Sequence, residues 1–239
     1  QMFGTTANPI DVESLDPTVI KAINAVAEKR LQFINRVYSI LSSQLALTAA
    51  IVCLVYFIEP INAFVKSPAA APLTFVSFIA SLALIFALHI FKHKEPHNMI
   101  LLYAFTCFEG YIVAAYTMHF AIEIVIQAFF ITFSVFALLT AYTFQSKRDF
   151  SFMGAGLFSC LWVLVIGGVV QWFWPFSETL DILWTLGGAA VFCLYIIYDT
   201  WLLMVRFSVD DYTIAAVSLY LDFINLFIRI LKLMGKRNK

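Results

Sequence analysis

Two aspartates carry the chemistry of this chain. Asp199 and Asp222 each stand in a long apolar run. An ionisable side chain at membrane depth is costly and normally faces the interior of a helix bundle, where it marks an ion path or a proton relay. Asp199 lies seven residues before Arg206, and Asp222 lies eleven residues past Asp211. The two are nearly equidistant from the centre of the 206–211 turn, so an antiparallel hairpin folded there sets both carboxylates at one depth. Two carboxylates in contact cannot both ionise cheaply in a low dielectric, so the pair is expected to share a proton near neutral pH. That makes a proton-sensitive latch, or a cation site once both are ionised.

A polar stripe surrounds the pair. Asp211, Ser218, Asp222, Asn225, Arg229 and Lys232 recur at i+3, i+4 and i+7 spacing, one face of a helix. The preceding run mirrors it with Asp181, Thr185, Gly188, Tyr195, Asp199 and Arg206. A polar stripe turned to lipid would be ruinous, so the last span is expected to be the central helix, wrapped by the others. Arg229, two turns from Asp222, is a candidate counter-charge. Glu109 and Gln127 are further polar groups expected to line the same interior. Asp210 and Asp211 fall in the aqueous turn, where they cap a helix or gather cations at a mouth. The competing reading is interhelical glue, each hydrogen bond contributing about 0.6 kcal/mol.

Other candidates for chemistry are weaker. His89, His93 and His97 are four residues apart, as on a metal-binding helix face, but Pro96 interrupts any helix there. They read as headgroup-facing residues at the membrane edge. Cys53, Cys107, Cys160 and Cys193 lie singly in apolar runs, with no disulfide framework and no zinc spacing. An intramembrane hydrolase would need deep histidines, so neither enzymatic activity nor a cofactor is expected.

The composition defines the scaffold that must hold these groups. Of 239 residues, 62% are hydrophobic and only 13% charged. A soluble domain averages about 45–50% apolar and about 25% charged residues, so this chain falls outside that class. Its 15 basic residues balance 15 acidic ones, which argues against a nucleic-acid binder. Seven stretches reach the about 20 apolar residues a membrane helix needs. They are 37–58, 72–91, 99–118, 121–144, 151–174, 180–205 and 212–234. The expected fold is an all-α membrane protein, a seven-transmembrane-helix bundle. Its seventh helix is polar and central, and either crosses fully or turns back as a re-entrant hairpin.

The connections are short and leave no room for a soluble domain. The chain divides into a mobile N-terminal arm at 1–30, a membrane domain at 31–235 and a basic tail at 236–239. The arm lacks the apolar core of a signal peptide. With Gln1 in first place, the native start is expected to lie outside this sequence. Lys21, Lys29, Arg30 and Arg36 precede span one, while Lys92, Lys94, Lys147, Arg148 and Arg206 follow spans two, four and six. The other connections carry only Lys66. Positive-inside then sets the N-terminus in the cytosol. Lys232, Lys236, Arg237 and Lys239 break that pattern if the seventh segment crosses fully.

The segments Ile196-Ile197-Tyr198-Asp199-Thr200 and Leu219-Tyr220-Leu221-Asp222-Phe223-Ile224-Asn225-Leu226-Phe227 resemble the signature of the transmembrane Bax-inhibitor-motif family. Supporting likeness includes Tyr142-Thr143-Phe144-Gln145-Ser146-Lys147-Arg148-Asp149-Phe150, and the resemblance covers about residues 30–235. The short arm is similar to that of the Golgi anti-apoptotic (lifeguard-like) branch. The resemblance implies a pH-sensitive calcium leak channel of the Golgi or endoplasmic reticulum that lowers store calcium and suppresses apoptosis. It places the family's signature aspartates, the implied calcium and proton sites, on Asp199 and Asp222, and a conduction-linked acidic residue on Asp210. Bacterial relatives hold the pair with an arginine in span two. Here the stretch reads His89-Ile90-Phe91-Lys92-His93-Lys94, so Lys92 is the candidate substitute. Calcium and protons are the implied ions, the lipid bilayer the surroundings, and apoptosis regulators or intracellular calcium-release channels candidate partners. Two rival functions use the same residues differently: a calcium/proton exchanger, and a non-conducting scaffold that regulates apoptosis.

Overall fold

The computed structural model describes residues 16–237, and among these the regular structure is helical. Helix α1 (Pro17–Phe57) begins where the Asp16 side chain accepts a hydrogen bond from the Thr18 backbone N–H at 2.8 Å and Pro17 pre-sets the first turn. No Gly or Pro interrupts the following residues. The 41-residue helix is therefore about 60 Å long, twice the about 30 Å hydrocarbon core, and its first half projects beyond the membrane. Of the arm expected at 1–30, residues 1–15 lie outside the described residues, and 17–30 form the first turns of α1. The tail residues 238–239 also lie outside the described residues.

Helix α2 (Glu59–Lys66) occupies what the sequence reading treated as plain connection. Pro60 pre-organises its first turn, and Asn62 Nδ2 donates to the Val55 carbonyl at 3.1 Å, satisfying the end of α1. A 3-10 turn at Pro68–Ala70 leads into α3 (Ala71–Phe91), followed by α4 (His97–Thr117), α5 (Ile122–Gln145), α6 (Met153–Phe173), α7 (Glu178–Val205) and α8 (Tyr212–Arg237).

All of these helices except α2 are long and apolar enough to cross a membrane. Large apolar side chains such as Phe86, Phe130 and Leu138 face outward, as they must in lipid. The protein is a multi-pass membrane protein. Of the apolar stretch of α8, 61% is buried, against 6–33% for the other six, so α8 is the central helix. It packs against α7, α5, α1, α4 and α3. Ala215 and Ala216 let neighbouring backbones approach, and Phe223 sets its edge on Phe129 and Phe136 of α5 at 5.9 and 5.6 Å between centroids. α6 lies outside this core and packs chiefly on α7. Its Gly167 is a seat for Trp184, whose ring leaves no room for a Cβ.

The re-entrant alternative for the seventh segment is overturned. α8 runs unbroken for 26 residues, about 39 Å, long and apolar enough to cross fully. Seven crossings put the projecting half of α1 and the end of α8 at opposite ends of the bundle. The arm end holds the α3–α4 and α7–α8 connections; the tail end holds α2 and the α4–α5 and α6–α7 connections. Lys232 and Lys236 then reach the tail end, where Asp181 of α7 receives both, at 2.7 and 2.6 Å.

Candidate functional site

The α7–α8 hairpin positions the acidic pair. α7 stops at Val205, where the Arg206 and Phe207 N–H groups both bond the Leu202 carbonyl. Arg30 of α1 crosses to this end and donates to the carbonyls of Phe207 at 2.6 Å and Leu203 at 3.4 Å. A cation at a helix C-terminus satisfies free carbonyls and opposes the helix dipole. The chain turns through 206–211 and re-enters as α8. Asp199 and Asp222 are only 8% and 5% exposed, and the Asp222 carboxylate lies in the field of Asp199. The Tyr195 phenol lies in the field of both.

Asp222 Oδ2 is buried without a hydrogen-bond partner, and neither aspartate is ion-paired among the described residues. A buried carboxylate without a counter-charge is tolerated only when a proton or a bound cation neutralises it. The arrangement can therefore hold and release a proton or a cation.

Charges that were candidate partners of the pair go elsewhere. Lys92 follows the last residue of α3 and forms an ion pair with Asp211 Oδ1 at 2.8 Å, at the mouth of the hairpin. It sits eleven residues of α8 away from Asp222, about 16 Å, so it does not replace the arginine of the bacterial relatives. Arg229 does not reach Asp222 either. Its guanidinium lies against Gly188 of α7, in the field of Asp181 and Tyr116. Asn225 turns back to donate to the Leu221 carbonyl of its own helix at 2.8 Å. Glu109 meets Ser81 of α3 and lies on the Tyr220 side of α8. Positions 220 and 222 point about 200° apart on a helix, so Glu109 does not join the pair. Gln127 is exposed on the outer face of α5, which corrects its expected place in the interior.

The arm end carries a network that joins four elements. Tyr212, the first residue of α8, lies under the Arg36 guanidinium, 3.5 Å from the ring centroid. Its hydroxyl donates to Glu95 and accepts from Asn98 Nδ2 at 2.8 Å. Arg36 bonds Glu95 at 2.7 Å, and Asn98 Nδ2 also donates to the Lys92 carbonyl at 3.1 Å. His93 Nε2 stands 3.6 Å from Asp211. The Tyr212 hydroxyl, and then Arg36, hold the Glu95 carboxyl below its ordinary range. Asp210 is exposed and lines an open cleft of about 570 Å³ with Arg36, Lys92, Glu95 and Tyr212. Sequence reasoning missed the parts that Arg36, Glu95, Asn98 and Tyr212 play, because single residues from α1, the α3–α4 connection, α4 and α8 make no periodic signal. His89 contacts its own Ile85 carbonyl at 2.9 Å, so the three histidines do not converge.

A multi-pass bundle wound round a carboxylate-bearing central helix is an integral membrane protein with an ionisable core. Comparison with known proteins narrows that class. The sequence pattern of the family described as Inhibitor of apoptosis-promoting Bax1 matches residues 30–239, and this chain belongs to that Bax inhibitor/lifeguard family. It is 46% identical over 211 residues to Protein lifeguard 4 of Mus musculus, covering 88% of this chain and 87% of the relative. It is 40% identical over 210 residues to the Golgi anti-apoptotic protein of Vaccinia virus (strain Lister), covering 88% and 87%. Bax inhibitor 1 of Schizosaccharomyces pombe is 36% identical over 206 residues, covering 86% and 77%.

Proposed function

We propose that this protein is a pH-sensitive calcium leak channel of Golgi and endoplasmic reticulum membranes, with its N-terminus in the cytosol, that lowers store calcium and restrains apoptosis. The observation that carries this reading is the buried Asp199–Asp222 pair, without an ion-pair partner among the described residues, between the central helix and its neighbour. The anti-apoptotic and Golgi parts rest on the names of its relatives. Protonation lets α7 and α8 pack at the pair. Ionisation sets two like charges against each other in a dry site, where their repulsion is far less screened than in water. That repulsion biases a two-state bundle, and the freed carboxylate oxygens are hard ligands suited to calcium. Asp210, in the open arm-end cleft, draws cations toward the hairpin.

The test is calcium flux into proteoliposomes over a pH series, wild type beside Asp222→Asn. The expected result is a pH-dependent flux that the variant loses or reshapes. Flux that needs an opposing proton gradient would reassign the pair to exchange. No flux at any pH from folded protein would overturn the reading and leave a scaffold.

A further inference from the structure

A second polar assembly lies at the tail end, remote from the aspartate pair. Asp181, in the first turn of α7, receives Lys232 Nζ on Oδ1 at 2.7 Å and Lys236 Nζ on Oδ2 at 2.6 Å, and Gln171 of α6 also donates to it. Arg229, one turn before Lys232, lies in the field of the same carboxylate, with no carboxylate oxygen within 4 Å among the described residues. Three cations thus surround one anion. Each lysine ammonium carries three donors and gives one to Asp181, so the assembly holds spare positive charge and spare donors.

Those donors open on a cleft of about 380 Å³ between the α4–α5 turn and the end of α8. Its walls are polar at Tyr116, His119, Lys232 and Lys236 and apolar at Phe120 and Ile124. Tyr116 and His119 also wall a neighbouring cleft of about 690 Å³ beside the α2–α3 connection, whose lining includes Lys66, Phe75 and Phe78. Glu59, Glu123 and Glu178, the other carboxylates on the elements at this end, are exposed and line neither cleft. A basic rim over an apolar wall, at the point where helices leave the membrane, has the chemistry of a phosphate headgroup joined to acyl chains. Basic pockets between transmembrane helices hold acidic headgroups for this reason.

We propose that the tail-end cleft binds an anionic phospholipid, with the phosphate against Lys232, Lys236 and His119 and an acyl chain along Phe120 and Ile124. The basic end of α8 sits opposite the arm end because a lipid anion, together with Asp181, neutralises it there.

The test is native mass spectrometry of the full chain in neutral detergent, titrated separately with phosphatidylglycerol, phosphatidylcholine and inorganic phosphate. Phosphatidylglycerol is expected to be retained in preference to phosphatidylcholine. Lys236→Gln is expected to weaken phosphatidylglycerol about fivefold, the effect of one basic residue near a headgroup. His119→Ala, which leaves the Asp181 ion pairs intact, is expected to weaken it as well. Asp181→Asn removes the competing carboxylate and is expected to preserve or tighten it. Equal retention of the two lipids by the wild type overturns the proposal, as does a lipid preference unchanged in both Lys236→Gln and His119→Ala. Displacement of phosphatidylglycerol by equimolar inorganic phosphate would assign the cleft to the free anion and overturn the lipid assignment.

Discussion

Tyr212→Phe deletes one oxygen from the first turn of α8 and leaves the ring beneath Arg36. In the intact protein that hydroxyl donates to Glu95 and accepts from Asn98 Nδ2 at 2.8 Å. Tyr212 is 5% exposed and Asn98 is fully buried, so water replaces the missing partner poorly even though both residues line the arm-end cleft. Asn98 keeps its bond to the Lys92 carbonyl, but one amide N–H is orphaned, at a cost of about 1–3 kcal/mol. Glu95 is exposed and finds water, so it adds no comparable loss. Reversible unfolding in mixed micelles at neutral pH measures the change, and hydrogen exchange over the first turns of α8 shows whether it is local. The substitution also has a pH signature. A carboxyl held low in the folded state stabilises the fold above its unfolded value, about 4.3. That contribution is lost as pH falls through the lower folded value. Tyr212 is the larger cause of the shift in Glu95. The variant should therefore lose stability less steeply than wild type as pH falls below about 4.3. A variant within about 0.5 kcal/mol of wild type, with unchanged exchange in α8, would refute the claim that this hydroxyl pins the central helix.

Arg30→Ala removes the guanidinium that bonds the Phe207 and Leu203 carbonyls. It should cost about 1–2 kcal/mol and speed hydrogen exchange in the 206–211 turn, with Arg30→Lys recovering part of the loss. Gly167→Ala sets a Cβ 2.2 Å from Trp184 Cζ2, too close for the ring to stay. It should destabilise by about 1–3 kcal/mol and shift tryptophan fluorescence, and an unchanged spectrum and stability would count against the α6–α7 seat.

The spans were legible because a membrane helix must be long, apolar and internally hydrogen-bonded, and each of those demands is written in consecutive residues. The central place of α8 was legible too, from Ser218, Asp222 and Asn225 at helical spacing in an otherwise apolar run. Directions across the bundle were not. Gln127 and Glu109 look alike in sequence, yet one faces outward and the other faces Ser81, because the rotation of a helix is set by its neighbours. Sequence spacing points Arg229 to Asp222, and the family resemblance points Lys92 to the aspartate pair. In space each lies by a different one, Asp211 and Asp181, since pairing follows depth rather than sequence distance. The projecting half of α1 was read as an arm because its apolar content is low, and helix continuity needs only the absence of a breaker.

The three polar stations of α8 are not equivalent, and the difference says where strain from the pair would go. Tyr212, Asp222 and Lys232 are ten residues apart, about 15 Å each along the axis. At the tail end, Asp181 ties α7 to α8 through two lysines. At the arm end, the 206–211 turn joins the same two helices covalently, while Arg30 holds the end of α7 to α1 and Arg36, Glu95 and Asn98 hold the start of α8. Among the described residues, only the middle station is without a counter-charge. Repulsion between Asp199 and Asp222 therefore acts on helices fixed at both ends, and separation there requires a bend at mid-depth. α8 is enclosed by four other helices, whereas α7 faces α6 across an apolar cleft of about 460 Å³ lined by Val163, Leu183, Gly187 and Val191. Displacing α7 into that slack breaks fewer contacts than displacing α8 into its core, so an ionised pair should move α7 toward α6 and leave the central helix in place.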